Sequence, residues 1–123
     1  MIISKWLTSA KHALRGLRCL FINERNARIH LFLACLTLGI GYFLHLSITE
    51  WCLVILCISF VIALEAVNSA IERAVDLVTP DWHPLAKDAK DLAAAGALLI
   101  SLGAAVVGAI IFIPKLITLF TLG

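Results

Sequence analysis

The sequence is short of charge: 15% of its 123 residues are charged and 62% are apolar. A soluble domain carries about a quarter charged residues and about half apolar ones. A water-soluble domain is therefore excluded, and one small integral membrane domain covering residues 1–123 is expected. The familiar soluble chemistries are missing too. There is no G-x-x-x-x-G-K-[ST] phosphate loop, no G-x-S-x-G elbow and no H-E-x-x-H zinc site. Gly39-Ile40-Gly41 lies in an apolar run and lacks the third glycine of a dinucleotide loop. Cys19, Cys35, Cys52 and Cys57 contain no C-x-x-C pair, and three of them sit in apolar runs, where a thiol packs as a small hydrophobe. Neither a cysteine-held metal nor a disulfide is expected. Met1–Phe21 intersperses Lys5, Lys11, Arg15 and Arg18 with apolar residues, and no unbroken apolar run follows before Glu24, so it does not read as a cleavable signal.

What is present is long apolar runs. Three are long enough to cross a bilayer, at about 29–46, 51–75 and 92–120. Ahead of them, residues 2–23 place Ile2, Ile3, Trp6, Leu7, Ala10, Leu14 and Leu17 at helical spacing, with the basic residues largely elsewhere around the helix. That pattern predicts an amphipathic helix on a membrane surface. Lys5, Lys11, Arg15, Arg18, Arg25 and Arg28 precede the first span; the loop after it has no Lys or Arg; the next carries Arg73, Lys87 and Lys90. The positive-inside rule then puts the N-terminus and the second loop in the cytoplasm. Lys115 opposes this as a single charge able to snorkel. In the second loop, Thr79-Pro80-Asp81 and His83-Pro84 signal a turn and a helix start, with residues 85–91 running into the third span. Ala89, Ala93, Ala97, Ser101, Ala105 and Ala109 form a small-residue ridge for close helix approach, and a homo-oligomer is expected.

The informative polar residues interrupt the second span. Glu65, Asn68, Glu72 and Asp76 are spaced i, i+3, i+7, i+11, a narrow stripe on a helix turning about 100° per residue. If the span starts outside at Trp51, Glu65 lies about 21 Å along it at about 1.5 Å per residue, still within a hydrocarbon core of about 30 Å. An intramembrane carboxylate is by default a functional residue. Glu24, Glu65, Asn68, Glu72, Asp76, Lys90 and Asp91 all converge near the cytoplasmic boundary, where so many carboxylates repel unless a cation or protons intervene. Mg²⁺ with one or two carboxylates plus phosphates resolves that repulsion, and Lys90 supplies charge for phosphate. Such a site takes a nucleotide from water and a headgroup from the bilayer. Asp76, Asp81, Asp88 and Lys87 are equally well read as boundary charges and salt bridges, and His30 and His45 as interfacial residues rather than metal ligands.

Three stretches carry a resemblance: Glu24-Arg25-Asn26-Ala27-Arg28-Ile29-His30, then Ala63 through Asp76, then His83-Pro84-Leu85-Ala86-Lys87-Asp88-Ala89-Lys90-Asp91. Over nearly its whole length the chain resembles the small prokaryotic diacylglycerol kinases, a family that includes undecaprenol kinases, and the first stretch is most similar to the undecaprenol branch. The resemblance implies an all-α membrane fold, an N-terminal surface helix plus three transmembrane helices assembled as a homotrimer with shared sites, in the bacterial inner membrane. It implies transfer of the ATP γ-phosphate to a lipid hydroxyl, undecaprenol or alternatively diacylglycerol. Glu65 would be the base; Glu24 and Glu72 would hold Mg²⁺; Asn68, Lys90, Asp91, His83 and His12 would contact ATP; Arg28 and His30 would contact the lipid. Two departures stand out. Gly96 falls one position later after Asp91 than the family pattern, and His12 stands where some members have tyrosine. No nucleic acid is expected as a partner. A small proton-coupled transporter would also use an intramembrane carboxylate, but residues 31–44 and 98–112 carry no charge from which to build a path across the bilayer. A purely structural subunit leaves the Glu65 stripe unexplained.

Overall fold

A computed structural model describes all residues, 1–123, as four helices: α1 (Ile2–Asn23), α2 (Arg25–Phe43), α3 (Ile48–Val78) and α4 (Pro84–Leu122). The last three are each long and apolar enough to cross a membrane. Their bounds differ from the expected membrane spans, which are the apolar parts of these helices. The first begins and ends earlier, because Glu24 and Leu44 rather than Ile29 and Leu46 flank the helix. The other two are longer than the hydrocarbon requires. At about 1.5 Å per residue α3 is about 46 Å long and α4 about 58 Å, against a core of about 30 Å. Their polar ends, residues 72–78 and 84–91, continue the same helices past the apolar segment, as the helical stripe to Asp76 and the His83-Pro84 helix start lead one to expect.

Local chemistry sets the helix ends. Ser47 and Glu50 form a reciprocal capping box at the start of α3. His83 caps α4 through Nδ1, which accepts from the Leu85 amide at 3.1 Å, and Pro84 occupies the first turn, where its missing N–H is harmless. Pro114 lies inside α4 without ending it, as neighbouring groups in transmembrane helices permit. The α2–α3 turn is tight: a Cβ on Gly41 would come within 2.9 Å of Leu46 Cδ1 and 3.1 Å of Trp51 Cη2. His45 takes the turn with a φ of 53°.

α3 is the centre of the bundle, packing against α4 along most of its length and against α2 and α1 over shorter stretches. Ten of the 123 residues are buried, so most apolar surface remains for lipid or for another chain. The one buried apolar cluster, Leu46, Val54 and Ile111, lies beside the α2–α3 turn with Trp51 and Phe112 packed on it. Lys115 is explained at this same end: its Nζ is 3.4 Å from Glu50 Oε1. The small-residue ridge of α4 is only half used within the chain. Ala89, Ala93, Ala97 and Ser101 are half-buried whereas Ala105 and Ala109 are exposed. Steps of four residues advance about 40° beyond a full turn, so a long i+4 row winds off any one face. Ala104, Val107, Gly108 and Ile111 take over the packed side.

Candidate active site

At the opposite end from the Glu50–Lys115 pair, the α1–α2 junction meets the face of α3. Glu24 is the single residue between α1 and α2, in extended conformation, with its amide bonded back to the Leu20 carbonyl. This break carries its side chain onto α3, where Oε1 accepts from Ser69 Oγ at 2.5 Å and from Arg73 Nη2 at 3.5 Å. Arg73 also donates to Cys19 Sγ at 2.9 Å, and that bond holds the Cys19 thiol below its ordinary pKa. The clamp thus joins α1, the junction and α3 through one guanidinium.

Glu65, two turns further into the apolar part of α3 than Arg73, is only 6% exposed. No donor lies within hydrogen-bonding distance; the nitrogen that comes nearest is Nε2 of His30 on α2, 4.0 Å from Oε2. One turn along, Asn68 Oδ1 is buried without a hydrogen-bond partner. Glu72, another turn on, is half-buried and forms no ion pair. Native proteins leave few buried polar groups unmet, and those that remain call for an explanation. Asn68 Oδ1 is such a group, and it lies on one stripe of α3 between the buried Glu65 and the half-buried Glu72, neither of which makes a side-chain hydrogen bond.

The remaining expected residues are placed as follows. Lys90 bonds Asp76 Oδ1, joining α4 to the end of the stripe, and Asp91 Oδ2 bonds Lys87 within α4. Arg28 is turned back to α1, donating to the Phe21 and Ile22 carbonyls at 3.1 and 2.7 Å, where it caps the helix C-terminus. His83 is engaged as the α4 cap. His12 is exposed on α1 and makes no side-chain hydrogen bond. Glu24, Glu65, Asn68, Glu72, Lys90 and the Asp76 that anchors it are thereby brought to one end of the bundle, whereas Arg28 caps the end of α1 and His83 the start of α4.

Two participants escaped the reading of the sequence, Ser69 and Arg73. Their signal was present: Glu65, Ser69 and Arg73 form an i, i+4, i+8 row beside the carboxylate stripe. Arg73 looks from sequence like a partner for the adjacent Glu72, yet adjacent helical residues point in different directions and its partner is Glu24.

Polar groups gathered at one end of a bundle of apolar helices mark where a membrane protein places a functional site. The prokaryotic diacylglycerol kinase family model matches residues 11–112. The chain is 40% identical over 114 residues to an undecaprenol kinase of Bacillus subtilis, covering 93% of each protein. It is 37% identical over 114 residues to a diacylglycerol kinase of Synechocystis, covering 92% of this chain and 65% of that one. To a diacylglycerol kinase of Haemophilus influenzae it is 37% identical over 93 residues, 76% of this chain and 79% of that one. The chain belongs to the prokaryotic diacylglycerol kinase family, and it is a multi-pass membrane lipid kinase.

Proposed function

We propose that this protein transfers the γ-phosphate of ATP, with Mg²⁺, to the terminal hydroxyl of undecaprenol. Glu65 carries the reading: a carboxyl group buried in an apolar helix face, with no donor to satisfy it, is placed to accept a proton rather than to hold the fold together. The undecaprenol choice rests on the identity to the Bacillus subtilis enzyme across nearly the full length of both chains; diacylglycerol is the alternative.

Glu24 and Glu72 suit Mg²⁺. Glu24 keeps Oε2 free while Ser69 and Arg73 hold Oε1, and Glu72 is unpaired. No cluster of three metal-binding side chains forms within one chain, which matches an ion that takes one or two carboxylates and completes its shell with phosphate and water. When bound, Mg²⁺ neutralises charge on the transferring phosphoryl group. Asn68 offers a free amide oxygen to the nucleotide, and Lys90 and Asp91 sit in exposed ion pairs worth about 0–1 kcal/mol, weak enough to exchange for ATP. The nucleotide contacts of His12 and His83 and the lipid contacts of Arg28 and His30 are carried over from the family resemblance alone.

The wider arrangement follows from the same reading. The site opens to the cytoplasm, with the N-terminus on that side of the inner membrane, and α1 lies on the surface with Trp6, Leu7 and Leu14 toward the lipid. One chain buries few residues and leaves Glu72 without a partner, which supports a homotrimer whose sites are completed by neighbours. The test is a vesicle assay with labelled ATP and Mg²⁺, offering undecaprenol and diacylglycerol in parallel. Faster labelling of undecaprenol is expected. Faster labelling of diacylglycerol would reassign the lipid, and labelling of neither by folded protein would remove the kinase reading.

A further inference from the structure

The ion pairs at the site end of the bundle differ in what each leaves behind when it opens. Lys90 is matched to Asp76 and Lys87 to Asp91. Either lysine, on turning to a new anion, strands a carboxylate. Arg73 is matched to Glu24, one of the two carboxylates suited to Mg²⁺. An arginine that yields its carboxylate to a cation strands nothing. Its present bonds are also loose. Nη2 stands 3.5 Å from Glu24 Oε1, at the outer edge of hydrogen bonding, and Nη1 donates to Cys19 Sγ at 2.9 Å, a weak acceptor. The Arg73 side chain is half-exposed. With Cys19 and Ser69 it lines an open cleft of about 520 Å³ between α1 and α3, walled in part by the small residues Gly16 and Ala70. The guanidinium therefore has room to move. Ser69 keeps Glu24 on α3 when it does, because the Ser69 bond to Oε1 is the short one, at 2.5 Å.

Resting on the kinase reading above, we propose that Arg73 is an exchangeable cation of the site: it neutralises Glu24 in the empty enzyme and moves to the nucleotide phosphates when the metal-bearing nucleotide binds. In the empty state its guanidinium rests on Glu24 and Cys19. In the loaded state Arg73 yields Glu24, leaves the Cys19 sulfur and donates to phosphate oxygens. A guanidinium suits this exchange better than an ammonium, because its planar donors meet two oxygens of one phosphate at once. Charge balance favours the move. A nucleoside triphosphate brings several negative charges to an end of the bundle that already holds Glu24, Glu72, Asp76 and Asp91. Arg73 is the cation it can recruit there without leaving another carboxylate unpaired. The same residue thus prevents repulsion around Glu24 before binding and offsets phosphate charge after it.

Cys19 reports the exchange without turnover. Held by Arg73, its thiol ionises below the ordinary thiol value; released, it returns toward about 8.5. Its other donor, Asn23 Nδ2 at 3.4 Å, lies on the same helix and stays. Trypsin cuts after Arg18 and Arg25, so peptide 19–25 contains Cys19 and none of the other cysteines. Alkylation of that peptide by iodoacetamide would be followed by mass spectrometry across pH in the full chain. One sample holds Mg²⁺ with adenosine, the other Mg²⁺ with the non-hydrolysable β,γ-imido analogue of ATP. The analogue is expected to move the wild-type midpoint up to that of Arg73→Gln, whose own midpoint stays put; adenosine, which lacks phosphates, should move neither. In turnover at saturating Mg²⁺, Arg73→Gln should raise KM for ATP about tenfold or more, as loss of a hydrogen bond to a charged group requires. KM for the lipid alcohol should not change, and Arg73→Lys should recover part of the loss. A wild-type midpoint that stays put with analogue bound would overturn the proposal, as would an equal upward shift in Arg73→Gln. So would an Arg73→Gln defect that excess Mg²⁺ repairs, because Arg73 would then act only by holding Glu24. Equilibrium dialysis reads analogue binding separately: wild type that binds none refutes the kinase reading, and this proposal with it.

Discussion

Glu65→Gln should make the protein more stable and nearly inactive, and the two effects have one cause. In the folded chain Glu65 is nine-tenths buried and finds no hydrogen-bond donor; His30 stands at 4.0 Å, the outer limit of an ion pair. At that distance and with no direct hydrogen bond, His30 offsets little of the cost of burying the carboxyl group. Holding a carboxyl group in apolar surroundings without satisfied lone pairs costs about 1–3 kcal/mol, and more when it is ionised. Desolvation outweighs attraction. Glutamine keeps the shape and removes the charge but leaves a polar amide with the same lack of partners, so the net gain is on the order of 1–2 kcal/mol. Turnover moves the other way, because an amide does not take up the hydroxyl proton; loss of a general base costs about 10²- to 10⁴-fold in kcat. Thermal unfolding in a single detergent, read beside labelled-ATP turnover on the same preparation, measures both. A variant that unfolds more readily than wild type would show that Glu65 is a structural anchor, and one that keeps wild-type kcat would remove it from proton transfer.

Ser69→Ala removes a donor to Glu24 worth about 1.5–3 kcal/mol as a hydrogen bond to a charged group. It should raise the Mg²⁺ concentration needed for half-maximal turnover about tenfold. Arg73→Gln should shift the pH profile of Cys19 alkylation upward, scored by mass spectrometry: the wild-type thiol, held down by the Arg73 hydrogen bond, ionises at lower pH than a free thiol, and the variant loses that bond. Ser47→Ala should cost about 1 kcal/mol in thermal stability through loss of the capping box, with kcat/KM unchanged. His45→Gly should stabilise the α2–α3 turn by about 0.5–1 kcal/mol, because a φ of 53° strains a side-chain-bearing residue and suits glycine. Denaturant titration compares both with wild type.

The helices were largely legible because lipid makes hydropathy an almost direct readout of span: α2, α3 and α4 each answer to one apolar run. Their polar extensions were legible by other signals: the i, i+3, i+7, i+11 stripe carried α3 to Asp76, and His83-Pro84 announced the start of α4. The convergence of Glu24 with the α3 stripe could be placed by depth alone. What depth does not give is rotation. Arg73 bonding Glu24 rather than Glu72, Arg28 turning back on α1, and His30 facing Glu65 each depend on how α1 and α2 are turned against α3, and no periodicity in one helix encodes the angle to another. His30 is the telling case. At the edge of an apolar run a histidine reads as interfacial, and its closeness to Glu65 exists only once α2 lies on α3.

In the proposed reaction the placement of charge follows from the two substrates that must meet. A nucleotide carries several negative charges and stays in water, whereas a lipid alcohol stays in hydrocarbon, so hydroxyl and phosphate come together only at the boundary. A site there faces opposite demands on its two sides. Toward water, its ion pairs should be weak enough to exchange, and Lys90–Asp76 and Lys87–Asp91 are exposed single pairs. Toward lipid, its polar groups must already be aimed, because no solvent is available to reorganise around the developing charge. Glu65 is buried there without a hydrogen bond, Asn68 keeps its buried Oδ1 unpartnered, and Glu24 is held by two donors from α3. Exchangeable pairs outside and unsatisfied groups inside are a poor design for a stable bundle. They are what in-line transfer between a soluble donor and a buried acceptor requires, which is why stability and turnover should separate at Glu65.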